Sequence, residues 1–265
     1  VDTQFMAGSF IEQLRNRTVL MRLSNTMSGL VGNVDIPKQT GGASAYWVGE
    51  GVDATEGTPT LGQISLSPKT VAAFTDITRR LMLQSTPDAE RIVRNDLAAA
   101  VAQAIDLAGF YGTGGDDPTG IANVSGINAV NLATTAKPTY KETVQMESEI
   151  AADNADVNSM AYVMNSGMRG HFKTTQKFSN TDGSPIWEPG NTVNGYGAEV
   201  TNQIQAGDLF FGNFADLIIA MWGGLDLTVD PYSLSKSGGT RLVVFQDVDM
   251  AARRVESFCL GRNTT

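Results

Sequence analysis

Cysteine and histidine each occur once in 265 residues, as Cys259 and His171. A lone cysteine forms no internal disulfide and builds no cysteine zinc site. A lone histidine excludes His-rich metal sites and leaves one candidate base for serine chemistry. Charge is scarce too: Asp, Glu, Lys and Arg make up 18% of the chain, against roughly 25% in an average soluble domain. Cations are the scarcer sign, 19 against 28, for a net charge of −9. That balance argues against a dedicated nucleic-acid binder, because neutralising phosphates needs Lys and Arg. Long apolar runs are missing as well. The strongest, Leu217 to Trp222, falls far short of the roughly 18–20 residues of a membrane span.

What is present is a hydrophobic fraction of 42%, enough for a core and too much for a disordered chain. The length allows one large domain or two ordinary ones. Glycine contributes 28 residues. Low charge with abundant glycine suits a chain that hides its surface against partners, and equally a plain all-β domain. The chain opens Val1-Asp2-Thr3 with no basic-then-apolar leader, an end expected from expression design or from a protease.

Residues 1–33 read as an arm. Phe10, Ile11 and Leu14 share one face of a short helix, and Arg15, Arg17 and Arg22 make this the one locally basic stretch. A long hairpin is expected over 34–78. Ile64 and Leu66 alternate with polar residues, and Val71, Ala73, Thr75 and Ile77 share a face. Its tip, Glu50 to Gly62, is a mobile loop. Isolated two-stranded ribbons are marginal, so this one needs a partner surface. The spacing of Ile92, Val93, Leu97, Val101, Ala104, Ile105 and Ala108 predicts a long helix over 87–108. Thr86 would be its N-cap, Pro87 its first residue and Gly109 its stop. Thr139 and Glu142 predict a capping box for a helix running to Ala152. A short strand, Met160 to Met164, precedes Asn165, which would cap a small helix from Ser166 to Phe172. Leu217 to Val229 reads as a tight hairpin turning at Gly223-Gly224. Leu242 to Phe245 and Arg254 to Leu260 are closing strands.

Motifs for chemistry are weak. The glycine cluster of Phe110 to Gly120 leaves a helix, whereas a dinucleotide loop leaves a strand and opens a helix. It reads as a structural turn. Asp116 and Asp117 alone do not make a calcium loop. No Gly-x-Ser-x-Gly elbow accompanies His171, which reads as a surface or capping residue. Cys259 lies in an apolar β-run and reads as buried and inert. No enzyme, cofactor or metal site is expected.

This order of elements, with Gly112-Thr-Gly-Gly-Asp-Asp-Pro-Thr-Gly-Ile-Ala-Asn123, Tyr162-Val-Met-Asn165, Asp182-Gly-Ser-Pro-Ile186 and Val243 to Gly261, resembles the major capsid proteins of tailed bacteriophages, the HK97-fold family. Ser166 stands where the family commonly has proline. The resemblance implies an α+β chain with an N-terminal arm (1–33), an extended β-hairpin or E-loop (34–78), a P domain with a spine helix (79–121), an axial A domain (122–230) and return strands of the P domain (231–265). It implies self-assembly as pentamers and hexamers into an icosahedral shell around double-stranded DNA, in virions put together in the bacterial host cytoplasm.

The implied partners are a portal protein, a decoration protein, packaged DNA, and a scaffolding segment with its maturation protease. Implied intersubunit contacts are Trp47, Glu50, Asp53 and Glu56 at the loop, with Arg79 and Arg80. Arg15, Arg17 and Arg22 would face the interior or a neighbour. Some relatives crosslink through a lysine near the loop tip. Here Gln39 to Pro68 contains none, and Lys38 and Lys69 sit toward the base, so no crosslinks are expected. A nanocompartment shell and a gene-transfer particle share the fold and remain alternatives.

Overall fold

A computed structural model describes residues 18–43, 45–51, 53, 57–80, 88–155, 157, 159–178 and 183–263. In chain order, helix α1 (Leu20–Leu23) leads to β1 (Asn25–Leu30), β2 (Val34–Gly41), β3 (Thr60–Leu66) and β4 (Lys69–Ile77). The long helix α2 (Asp88–Tyr111) follows, then β5 (Asn128–Asn131), α3 (Tyr140–Ala152), β6 (Ala161–Met164) and α4 (Ser166–Thr174). The last third is mostly strand, with short 3-10 turns at Phe214–Asp216 and Val255–Ser257: β7 (Trp187–Glu188), β8 (Thr192–Val193), β9 (Tyr196–Val200), β10 (Leu209–Gly212), β11 (Leu217–Asp230), β12 (Thr240–Ala252) and β13 (Phe258–Arg262). The mixture of helix and sheet is the α+β class expected.

Three sheets organise these strands. A four-stranded sheet has the order β1-β11-β12-β4, a seven-stranded sheet β5-β13-β10-β6-β9-β8-β7, and β2 pairs with β3 alone. The main core lies under α2. Leu97, Val101 and Ile105, four residues apart, meet Ile219, Val244 and Met250 of the four-stranded sheet and Val163, Phe210 and Phe258 of the seven-stranded one. The period-two pattern of a strand sends its neighbours the other way. Tyr162, Leu209, Phe211 and Cys259 therefore join a second core with Met146 and Ile150 of α3 and Met168 and Phe172 of α4. The seven-stranded sheet is thus packed on both faces.

Local signals hold where they are short-range. Thr139 accepts from the Glu142 amide, and Glu142 accepts from the Thr139 amide, completing the expected capping box. Asn165 caps α4 by accepting from the Met168 amide at 2.8 Å. Ser166 is the first residue of that helix, a position where proline is favoured because the helix itself leaves that amide unpaired. Here the Ser166 amide donates to Asn202 Oδ1 at 3.3 Å, a bond that proline would lack. The one-face pattern expected of Val71, Ala73, Thr75 and Ile77 is met by β4, which buries Ile77, half-buries the other three and exposes the alternate residues.

Three expectations are corrected. The hairpin is β2–β3 only: Val34 pairs with Leu66, and after Ser67-Pro68 the chain crosses to the four-stranded sheet, where β4 pairs with β12. Gly109 does not stop α2, which runs on to Tyr111. A Cβ there would lie 2.4 Å from Leu20 Cδ1 and 2.9 Å from Met250 Sδ, so the glycine admits a close neighbour. Gly223-Gly224 is not a hairpin turn. β11 runs through it, with a register shift between Trp222 and Asp226, and the reversal comes after Asp230. Gly223 sits at φ +67°, so the glycine is used for a bulge. Thr86, Pro87 and the turn residues 181 and 182 lie outside the described residues.

The boundary expected at 230/231 falls between β11 and β12, which pair from Leu217↔Ala252 to Asp230↔Arg241. The terminal strand β13 lies in the seven-stranded sheet, between β5 and β10.

Candidate assembly surface

The β2–β3 ribbon is anchored at its base. Leu66 packs with Ile218, Ala220 and Trp222 on the face of the four-stranded sheet opposite α2, joined by Met27, Leu30, Val34 and Ile36. The Trp222 indole N–H donates to the Gly32 carbonyl at 2.6 Å. Among the described residues, the ribbon beyond this anchor keeps exposed positions on both strands. Leu61 is 77% exposed, and Trp47, past the end of β2, is fully exposed. A strand of this length reaches roughly 25 Å, too far for a two-stranded element to persist without support.

Glu50 and Asp53 lie exposed at the tip, and Arg79 and Arg80 lie exposed just past β4. The two groups sit at opposite ends of the segment between β2 and α2, the acidic pair on the ribbon and the basic pair on the body. Glu56, Arg15 and Arg17 lie outside the described residues. Arg22 is committed within the chain, pairing with Glu199 of β9 at 2.6 Å.

One surface was not anticipated. On the same face opposite α2, away from the ribbon base, β4 and β12 carry Phe74 and Phe245, both well exposed, with Val243 opposite Phe74 in register. The Arg241 guanidinium lies 5.1 Å from the Phe74 ring centre and bonds Asp76 at 2.7 and 2.9 Å. That partner holds the Asp76 carboxyl below its ordinary range. The alternation of 69–77 contains the signal. If Val71, Ala73 and Ile77 face inward, Phe74 must face out.

The residues with possible chemistry are occupied structurally. A Cβ on Gly112 would sit 1.9 Å from the Pro118 carbonyl oxygen. Asp117 accepts from the Thr113 amide at 2.9 Å and its hydroxyl at 2.7 Å, which lowers its pKa. The glycine cluster is a tight turn closing α2. His171 is half-buried in the last turn of α4, its Nε2 3.1 Å from the Pro138 carbonyl. Cys259 is buried, and loss of hydration pushes its thiol up to about 12. It is expected to stay unlabelled by a thiol reagent at pH 8 in the folded protein and to react once in denaturant. Labelling at the rate of a free thiol would contradict that placement.

A part-buried ionic cluster around the buried Asp208 joins the end of α2 to the last strand. Asp208 accepts from Arg262 Nε and Nη2 at 2.7 and 2.6 Å and from the Tyr111 hydroxyl at 2.9 Å. Tyr111 in turn accepts from the Gln205 amide, and burial pushes its pKa upward. Nothing in the sequence links residues 111, 208 and 262.

Comparison with known proteins follows the same lines. Residues 1–263 match the model of a family described as the phage capsid family. The major capsid protein of Halomonas phage phiHAP-1 is 41% identical over 266 residues, covering 100% of this chain and 44% of that protein. The chain thus spans less than half the length of the curated relatives it matches. Among solved structures, the capsid of a native GTA particle superposes with a TM-score of 0.83 at 20% identity, covering 100% of this chain and 96% of that one. A chain of Mycobacterium phage Bobi superposes with a TM-score of 0.79 at 13% identity, covering 100% and 96%. At such identities the likeness establishes the fold, which is of the HK97 type. The family and these relatives are structural proteins, as the sequence reading expected.

Proposed function

The chain belongs to the phage capsid family, and from that premise we propose that it is the major structural subunit of an icosahedral shell, built as pentamers and hexamers around double-stranded DNA. The observation that carries this reading is the ribbon: anchored at its base, with exposed residues alternating with half-buried ones along both strands and a fully exposed Trp47 at its tip. An element of this kind is stable when a neighbouring copy covers it. Obligate interfaces commonly bury more than about 2,000 Å², which suits a surface with little charge. In this reading Trp47, Glu50, Asp53 and Glu56 of one copy meet Arg79 and Arg80 of the next. The basic arm, with Arg15 and Arg17, faces the interior or a neighbour. An acidic wall does not hold packaged DNA tightly. A portal protein, a decoration protein, and a scaffolding segment with its protease are the partners this role calls for, and the virion is its place.

Negative-stain electron microscopy of the untreated native protein tests the proposal. The expected result is closed shells tens of nanometres across that contain DNA. On a denaturing gel they are expected to run as one monomer band, because Gln39 to Pro68 offers no lysine. Small oligomers alone, over a range of salt and pH, would overturn the shell. A ladder of covalent oligomers would overturn the absence of crosslinks. The superposition on a GTA capsid favours one second reading, a gene-transfer particle. Sequencing the enclosed DNA separates the two, since a phage packages its own genome. Empty or protein-filled shells would instead indicate a nanocompartment.

A further inference from the structure

Aspartate is disfavoured in strands and seldom buried without a partner. Yet β12, a central strand with β11 on one side and β4 on the other, carries two, Asp247 and Asp249. They share the face turned away from α2, since Val248 and Met250 beside them lie in the main core. Both point at the crossing where the ribbon ends and β4 begins. Asp249, only 6% exposed, accepts from the Ser67 amide through Oδ2 and from the Met250 amide through Oδ1, each at 2.9 Å. Asp247 Oδ1 accepts from the Thr70 hydroxyl at 2.5 Å. The Lys69 ammonium donates to the Asp117 carbonyl at 2.8 Å, in the turn that closes α2. Pro68 has its φ fixed by its ring. Every residue from 67 to 70 is thus tied or stiffened. The entry to the ribbon is held on the same face: Trp222, opposite Asp247 in register, donates to the Gly32 carbonyl two residues before β2.

We propose that residues 67–70 form a rigid elbow, and that Asp247 and Asp249 serve to aim the ribbon. The ribbon is a lever. It reaches roughly 25 Å, and a tilt of about 10° at its base moves the far end by about 4 Å, more than the length of a hydrogen bond. Leu66 and its apolar neighbours hold the base down, but apolar packing has no preferred direction. The bonds to Ser67, Thr70 and Gly32 are directional and fix the angle. A ribbon aimed in advance loses less freedom on meeting a neighbour, which is what preorganisation contributes to association. That last consequence rests on the proposed shell. The aim itself is a property of the single chain.

Double electron–electron resonance between two nitroxide labels on the full chain measures the aim. One label goes on Leu61→Cys, at the far end of β3 and 77% exposed, the other on Gln145→Cys, exposed on α3. Cys259 is buried and stays unlabelled. The otherwise wild-type chain should give one narrow distance distribution. Asp249→Ala should widen it at least about twofold, and Thr70→Val should widen it too. Asp249→Asn keeps an acceptor for the Ser67 amide and should stay narrow. Phe245→Ala removes a larger side chain from the same strand and face, outside the elbow, and should also stay narrow. Hydrogen exchange in β10 should be unchanged in all of these variants, which separates aim from general stability. The proposal fails if the wild-type distribution is broad, if Asp249→Ala leaves it narrow, or if β10 loses protection in step with the widening. Light scattering reads the consequence: Asp249→Ala, with its tip untouched, should need at least about threefold more protein to assemble. A narrow wild-type distribution without any shells would overturn the shell and support the elbow. Assembly of Asp249→Ala at the wild-type concentration, despite a widened distribution, would overturn the elbow's part in assembly.

Discussion

Replacing Arg262 with alanine is expected to destabilise the chain by about 3 kcal/mol, read as a lower denaturation midpoint with an unchanged slope. The reason lies with the partner left behind. Asp208 has a side chain only 4% exposed, and Arg262 meets it with two parallel hydrogen bonds. Without the guanidinium, a buried carboxylate keeps the Tyr111 hydroxyl as its remaining side-chain donor. Arg262 is itself 39% exposed, so water screens part of the attraction and the loss sits at the lower end for a broken buried pair. Arg262→Lys should recover part of the loss, because an ammonium restores the charge but not the fork. The double replacement Asp208→Leu with Arg262→Met should recover more than either single change, since no charge is then stranded. If Arg262→Ala shifts the midpoint by less than the equivalent of 1 kcal/mol, the cluster is a surface ion pair in effect.

What the sequence showed and hid follows from the range of each interaction. Thr139 and Glu142 are three residues apart, and their reciprocal bonds need nothing from the rest of the chain. The inward face of 69–77 was equally legible, because a strand's period is set by its own backbone. Gly109 was misread as a stop because its reason is Leu20, which lies 89 positions earlier in the chain. Gly223-Gly224 was misread as a turn because two glycines flanked by alternating apolar residues fit a turn or a bulge equally well. The choice is made by β12, whose unbroken length pairs with both halves of β11. The Tyr111–Asp208–Arg262 cluster had no signal, since its members come from the end of α2, the residue before β10 and the end of β13, and only the pairing of β10 with β13 and the packing of α2 bring them together. The ribbon was legible in outline and wrong in extent. Period two marks both 60–66 and 69–77, with its phase flipping from even (Ile64, Leu66) to odd (Val71, Ala73, Ile77) across Ser67-Pro68, and a pattern of period two does not say which sheet a strand joins.

The assembly contacts are the part that a single chain leaves open, and charge reversal addresses them with the largest functional effect. Glu50→Lys with Asp53→Lys is expected to raise the concentration needed for shell assembly by at least about tenfold. Arg79→Glu with Arg80→Glu is expected to do the same. Each exposed pair is worth at most about 1 kcal/mol, but reversal replaces an attraction with a repulsion, and about 1.4 kcal/mol is tenfold. In the proposed shell the contact would recur at every subunit, so small energies would accumulate. A chain carrying all four reversals should assemble again, because tip and dock then match with exchanged signs. High salt should narrow the gap between wild type and the two-site variants, since the screening length falls to about 3 Å at 1 M. Trp47→Ala should weaken assembly at every salt concentration, its contribution being burial rather than charge. Light scattering across a concentration series reads all of these. If both charge variants assemble as the wild type does, the tip does not meet Arg79 and Arg80. The exposed face of Phe74, Val243 and Phe245 would then be the surface to mutate. Its apolar rings, unlike the arginines, would be insensitive to salt, and Phe74→Ala with Phe245→Ala would carry the loss instead.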